Sequence, residues 1–179
     1  VPLYYMLIAA EVIRGTEPVN ADLDGYDLRW TDADQQRIED SLVRPVLDTF
    51  LSSKNRLWNQ HLYGVIGMIS AAIFLDDADL YAERVEWFTV NAGYESEHDL
   101  YGGNVNGSLA QLFREIPADA PGNTTGEPFV QHMEMLRDQA HGQGDVDLFV
   151  ALARIVDAQG TTLDPTSGTV SNGADAVSP

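Results

Sequence analysis

Apolar residues recur along this chain at intervals of three and four almost throughout, and no alternating run of β-branched residues reads as a sheet. The pattern predicts an all-α protein. A first helix is expected over residues 2 to 14, followed by a polar loop from Gly15 to Asp27 that contains Pro18 and Gly25. Thr31 is placed to cap a second helix, with Asp32 and Asp34 in its first turn and Ile38, Leu42, Val46 and Phe50 repeating at i+4. Pro45 should kink or divide that helix.

The third helix, about Gln60 to Leu75, is apolar on nearly every side and carries Gly64, Gly67, Ala71 and Ala72, so it should be central. Asp76-Asp77 ends it and starts a fourth helix through Trp87, with Leu80, Val85 and Phe88 facing inward. A Gly/Asn-rich loop spans Asn91 to Asn106, a short helix Ser108 to Glu115, and a second loop Pro117 to Pro128. The last helical region is expected from Phe129 to Gln159, interrupted or frayed near Gly142-Gln143-Gly144. Residues 1–160 thus read as part of one helical domain, in which paired helices suggest αα-hairpins, and residues 161–179 as an extended or disordered tail.

The charge balance restricts the partners. With 28 acidic residues against 10 basic ones the net charge is -18, which argues against nucleic acid or an anionic membrane surface. Lys54 is the single lysine and the other nine basic residues are arginines, which grip carboxylates in bidentate fashion. An acid-rich, lysine-poor surface is also what solubility in concentrated salt favours. No stretch approaches the roughly 18 apolar residues of a membrane span, and the apolar opening lacks the basic flank of a signal peptide. Cysteine is absent, which removes disulfides, thiolate metal sites and cysteine nucleophiles.

Candidate chemistry gathers in two segments. On a helix advancing about 100° per residue, Glu134, Asp138 and His141 would share one face, with Arg137 one turn before His141. Gln139 lies between them, and taken alone the segment is as consistent with a solvated polar face. The second segment is Asn59-Gln60-His61-Leu62-Tyr63, at the mouth of the most apolar helix, where a polar cluster can line a pocket. Its plain structural reading makes Asn59 a helix cap and His61 the partner of a carbonyl. Tyr101 and Asn106 in the Gly/Asn-rich loop are weaker candidates, since Asn-Gly is ordinary turn chemistry.

The order Asn-x-His before an apolar helix ending in Asp-Asp, then Asn-Gly-Ser, then Glu-x-x-Arg-Asp-Gln-x-His and a helix ending Ala-Gln-Gly resembles the alginate lyase superfamily of polysaccharide lyases. The resemblance covers roughly Leu3 to Asp164, and Arg137 to His141 is its most specific part. It implies an α/α toroid of helical hairpins, of which this chain would be a fragment whose partner is the remainder of the catalytic domain. It further implies β-elimination on an anionic, uronic-acid-containing polysaccharide such as alginate or glucuronan, no cofactor, and a secreted or periplasmic location.

Proton abstraction beside a uronate carboxylate requires that the carboxylate be neutralised, and Asn59, Arg137 and Gln139 supply suitable donors. A base near neutrality and an acid for the leaving oxygen complete the chemistry, with His61 and His141 as candidate bases and Tyr63 and Tyr101 as candidate acids. The resemblance places Asn59, His61, Arg137 and His141 in catalysis; it does not identify the tyrosine acid, for which Tyr63 is the catalytic candidate, and Gln60, Gln139, Glu134, Asp138, Tyr101 and Asn106 are candidates for contact with the substrate. The inserted Gln60 leaves open which of Asn59 and Gln60 faces it. Two other readings of the residues remain: a non-catalytic helical carbohydrate-binding or interaction domain, and a metal-dependent hydrolase using His132, His141, Glu134 and Asp138, for which no HExxH spacing is present.

Overall fold

The computed structural model of the protein describes residues 2–16, 22–23, 26–53, 58–94, 107–163 and 170–171, and is mostly helical. Helix α1 (Pro2–Arg14) precedes a two-residue ladder of β1 (Asp22–Leu23) with β2 (Tyr26–Asp27). Thr31 caps α2 (Asp32–Ile38) with a reciprocal box. Its hydroxyl accepts from the Asp34 amide at 3.2 Å, and the Asp34 carboxylate accepts from the Thr31 amide at 3.1 Å. Pro45 does not divide this second helical run. A π turn (Glu39–Val43) joins α2 directly to α3 (Arg44–Phe50), which carries Pro45 in its first turn. Proline has no N–H to give the carbonyl one turn back, and the wider turn carries the helix past it.

Helix α4 (Trp58–Phe74) is the axis of the molecule, buried without a break from Gly64 to Ala72. One side meets Tyr81, Val85 and Phe88 of α5 (Ala78–Thr89) and Leu148, Phe149, Leu152 and Val156 of α7 (Gln139–Ala158). The other side presents Ala71 and Phe74 to Leu3, Leu7 and Ala10 of α1 and to Val43. Each fully buried aliphatic or aromatic side chain is worth about 1.5–3 kcal/mol over exposure, so this two-sided burial is the main driving force for docking the helices. Asp76, in the left-handed region at φ 52°, closes α4, and Asp77 caps α5 through the Leu80 amide at 2.9 Å.

The expected helix over 108–115 is cut short. Helix α6 (Leu109–Leu112) gives way to strand β3 (Phe113–Ile116), which pairs antiparallel with β4 (Phe129–His132) in the register Phe113↔His132 to Ile116↔Phe129. The expected helix from 129 to 159 accordingly starts ten residues late: after β4 comes a 3-10 turn (Met133–Leu136), and only then α7. Phe113 explains the preference for strand, since its ring lies 5.1 Å from Phe149 and 4.9 Å from His132, contacts a helical turn would not present. In contrast to the expected interruption, α7 runs unbroken through Gly142 and Gly144. Gly142 is buried where a side chain would strike Met135, and this close approach offsets the roughly 1 kcal/mol that a helical glycine costs. Beyond α7, β5 (Thr162–Leu163) pairs with β6 (Val170–Ser171), and the buried Thr161 hydroxyl meets the Tyr81 hydroxyl at 2.8 Å, tying the start of the tail to α5. Among the described residues no helix is long and apolar enough to cross a membrane.

Gly107 lies directly against the first turn of α4, where an added Cβ would overlap the Trp58 carbonyl and the His61 side chain. Gly107→Ala is expected to lower stability by about 1–3 kcal/mol through overpacking, read from chemical denaturation. An unchanged midpoint would show that the 107–108 segment does not seal α4.

Candidate functional site

The two sequence segments meet where α4 begins beside the start of α7. Trp58 opens α4 at φ 42°, a left-handed conformation that an aromatic residue adopts only under strain, of the order of 1–3 kcal/mol. From there the helical period separates the candidates. Asn59 and Tyr63 are i and i+4, so they share the outer face, and Tyr63 is 44% exposed. Gln60 also lies exposed, one position round the helix from Asn59.

His61 points the opposite way. It is buried, with Nε2 2.7 Å from the Trp87 carbonyl; a carbonyl only accepts, so Nε2–H donates. The structure therefore brings His61 together with α5 and Gly107, and not with Tyr63.

The expected single helical face of Glu134, Asp138 and His141 does not form, because Asp138 starts α7 rather than continuing an earlier helix. Its backbone is extended and its Oδ1 accepts from the His141 amide at 2.9 Å, the N-cap geometry. Glu134 belongs to the preceding 3-10 turn and is wholly buried. Arg137 projects outward, with Nη1 3.9 Å from Glu134 Oε2, and Gln139 is exposed. Tyr101 and Asn106 lie outside the described residues.

Asp138 does a second thing. Its Oδ2 sits 2.5 Å from Nδ1 of His141, whose side chain is 30% exposed. Hydrogen bonds from the His141 amide and ring, the former the larger cause, hold the Asp138 carboxyl below its usual range, so it is an ionised acceptor and Nδ1 carries the proton. In the neutral imidazole this tautomer puts the free lone pair on Nε2, the atom a general base uses. One turn along α7, Gly144 faces the Tyr63 hydroxyl, 3.5 Å from where a Cβ would stand. Tyr63 of α4 thus lies beside α7, one turn beyond His141.

Beneath this exposed dyad is a buried group that helical spacing in the sequence did not single out. Asp145, one turn beyond His141, is fully buried, as is Glu134, and His132 Nε2 lies 3.4 Å from Asp145 Oδ2. Neither carboxyl has a hydrogen-bond partner among the described residues. The Asp145 pKa is raised to about 7, chiefly by burial, with the neighbouring Glu134 charge adding to the rise and His141 opposing it. Burial also lowers the His132 pKa, so that ring is neutral at pH 7. The i+4 spacing from His141 was available as a signal, but it is valid only if α7 continues through Gly142 and Gly144. Among the described residues no three His, Asp or Glu side chains converge in a way that could hold a metal ion.

A carboxyl whose folded pKa exceeds its unfolded value of about 3.9 adds stability that is complete below that value and lost as pH rises through 7. Asp145→Asn should therefore remove about 2 kcal/mol of the fall in stability between about pH 5 and pH 8, against a background of general acidic repulsion common to both proteins. Parallel stability–pH curves for the two would show that Asp145 is not the group responsible. No protein-family model, curated protein or solved structure matches the chain.

Proposed function

We propose that the chain is a polysaccharide lyase that cleaves uronic-acid-containing polymers by β-elimination, its helix pairs forming hairpins of an α/α toroid. The observation that carries the reading is the Asp138–His141 dyad, half open to solvent, with Arg137 exposed next to Asp138 and the Tyr63 hydroxyl one turn along α7. Elimination asks for these groups in turn. Arg137, with Gln139 and Asn59 as further donors, pairs with the uronate carboxylate and stabilises the charge that spreads into it as C5 loses its proton. His141 Nε2 takes that proton. The electron pair forms the C4–C5 double bond, the C4–O bond breaks, and the departing oxygen takes a proton from the Tyr63 hydroxyl.

Of the two histidines, His141 suits the base role better. Its Nδ1 is committed to Asp138 and its ring reaches solvent, whereas His61 Nε2 is committed to Trp87 inside the core. Asp138 acts through His141, as the N-cap that sets the ring's position and the carboxylate that sets its tautomer.

Incubation with alginate and with glucuronan should release unsaturated uronates, seen by their ultraviolet absorbance. His141→Ala should lower kcat by about 10²–10⁴-fold. Arg137→Ala should lower kcat more than it raises KM, because its partner charge is greatest in the transition state. Failure to form unsaturated product from either polymer would overturn the lyase reading for this chain, and unaltered turnover in His141→Ala would overturn the assignment of the base.

A further inference from the structure

Helix α1 is apolar on both of its sides. Leu3, Leu7 and Ala10 are buried in the α4 contact, yet Tyr5, Met6, Val12 and Ile13 are each more than half exposed, and Ile8, Pro2 and Ala9 are exposed beside them. At about 100° per residue, Pro2, Tyr5, Met6, Ala9, Val12 and Ile13 fall within an arc of about 120°. The two charges of the helix are turned away from that arc. Arg14 Nη2 holds Glu11 at 2.9 Å, and its Nη1 reaches the Phe74 carbonyl at 3.3 Å and Asp76 at 3.4 Å, at the end of α4. A chain of net charge -18 thus presents a whole helix face without a charged side chain.

Its size and its pattern fit a second copy of the same face. The five large side chains expose on the order of 500 Å² of apolar surface, as much as the largest patch that a soluble monomer usually leaves open. Two such faces in contact remove about 1,000 Å² from water, the lower bound for a specific interface. A cavity of about 220 Å³ between α1 and α7, walled by Ile8, Val12, Ile73 and Ile155, extends the apolar surface along one edge. A symmetric contact also requires a patch that matches itself. Ala9, at the middle of the arc, has Met6 and Val12 three residues to either side and Tyr5 and Ile13 four residues to either side. Antiparallel pairing about Ala9 therefore sets Tyr5 against Ile13 of the other copy and Met6 against Val12, a larger side chain on a smaller one each time, with the smallest at the crossing. A membrane surface fits less well, because interfacial helices flank their apolar face with Lys and Arg and this face has neither.

We propose that the outward face of α1 is the contact of a symmetric dimer, in which it pairs antiparallel with α1 of a second copy about Ala9. Sedimentation equilibrium of the protein over a range of concentrations should show a species of twice the 19.6 kDa of one chain. Association should strengthen with salt, because the contact is apolar while the two copies repel, and at about 1 M salt that repulsion reaches only about 3 Å. Tyr5→Glu and Val12→Glu, at exposed positions where folding tolerates a charge, should each weaken the dimer by about tenfold or more. The geometry has its own readout, since the chain contains no cysteine. Ala9→Cys places two thiols across the two-fold axis and should form a disulfide-linked dimer on mild oxidation, whereas Val130→Cys, equally open to solvent on β4, should link only by slow collision. A mass of one chain at every concentration and salt would leave the face to a different partner and overturn the proposal. So would a dimer that salt weakens, one that survives both glutamate substitutions, or linking of Ala9→Cys no faster than of Val130→Cys. Flotation of a monomer with phosphatidylcholine vesicles would assign the face to lipid instead. None of these measurements uses polymer cleavage, so the dimer stands or falls apart from the lyase.

Discussion

Everything in this protein is arranged around the need to cover α4. A helix that is apolar on every side has no face to give to water, so it must be enclosed: α5 and α7 cover one side, and α1 with the α2–α3 run covers the other. Gly64 and Gly67 sit within the buried stretch, with Leu51 beside both of them. The enclosure extends to the N-terminal turn, where Gly107 presses on Trp58 and His61. That contact is why His61, a polar residue at the end of a helix, is a core residue bonded to α5.

The same enclosure produces two kinds of acid side by side. Asp138 is exposed and surrounded by donors, so it stays ionised and orients His141. Asp145, one helical turn beyond His141, is sealed beneath the dyad with Glu134 and without a hydrogen-bond partner among the described residues, so it keeps its proton to near neutrality. The cap and first two turns of α7 therefore hold a fixed negative charge at the surface and a buried carboxyl that loses its proton only near neutrality, with the imidazole between them in sequence. This is how environment divides identical side chains into different roles.

Outer and inner faces of α4 make a parallel division. Asn59 and Tyr63 share the outer face, with Tyr63 beside Gly144 of α7, while His61 is turned through about half a helical rotation into the core. A three-residue Asn-x-His spacing cannot put both side chains on one helical face, so the proposed elimination uses a histidine from α7 with a tyrosine from α4. Arginine has a matching division of environment: Arg137 is largely solvated beside the dyad, whereas Arg84 is pressed flat on Trp87.

The helical skeleton was legible in the amino-acid order. Thr31 and Asp77 mark helix starts by their own side-chain oxygens, and the unbroken apolar run after His61 marks the central helix, because capping and burial patterns are local and need no knowledge of neighbours. Long-range packing decided the rest. Phe113 became a strand residue by packing on Phe149 and His132, and α7 crossed two glycines because Met135 and Tyr63 lie against them. The site changed with these decisions: once Asp138 caps α7, Glu134 falls inside, Asp145 comes into line with His141, and the three residues read as one face divide into an exposed Asp138–His141 dyad and a buried Glu134 beside Asp145. Spacing in a sequence assigns side chains to faces only within a helix whose limits are known, and here those limits were set by contacts with distant residues.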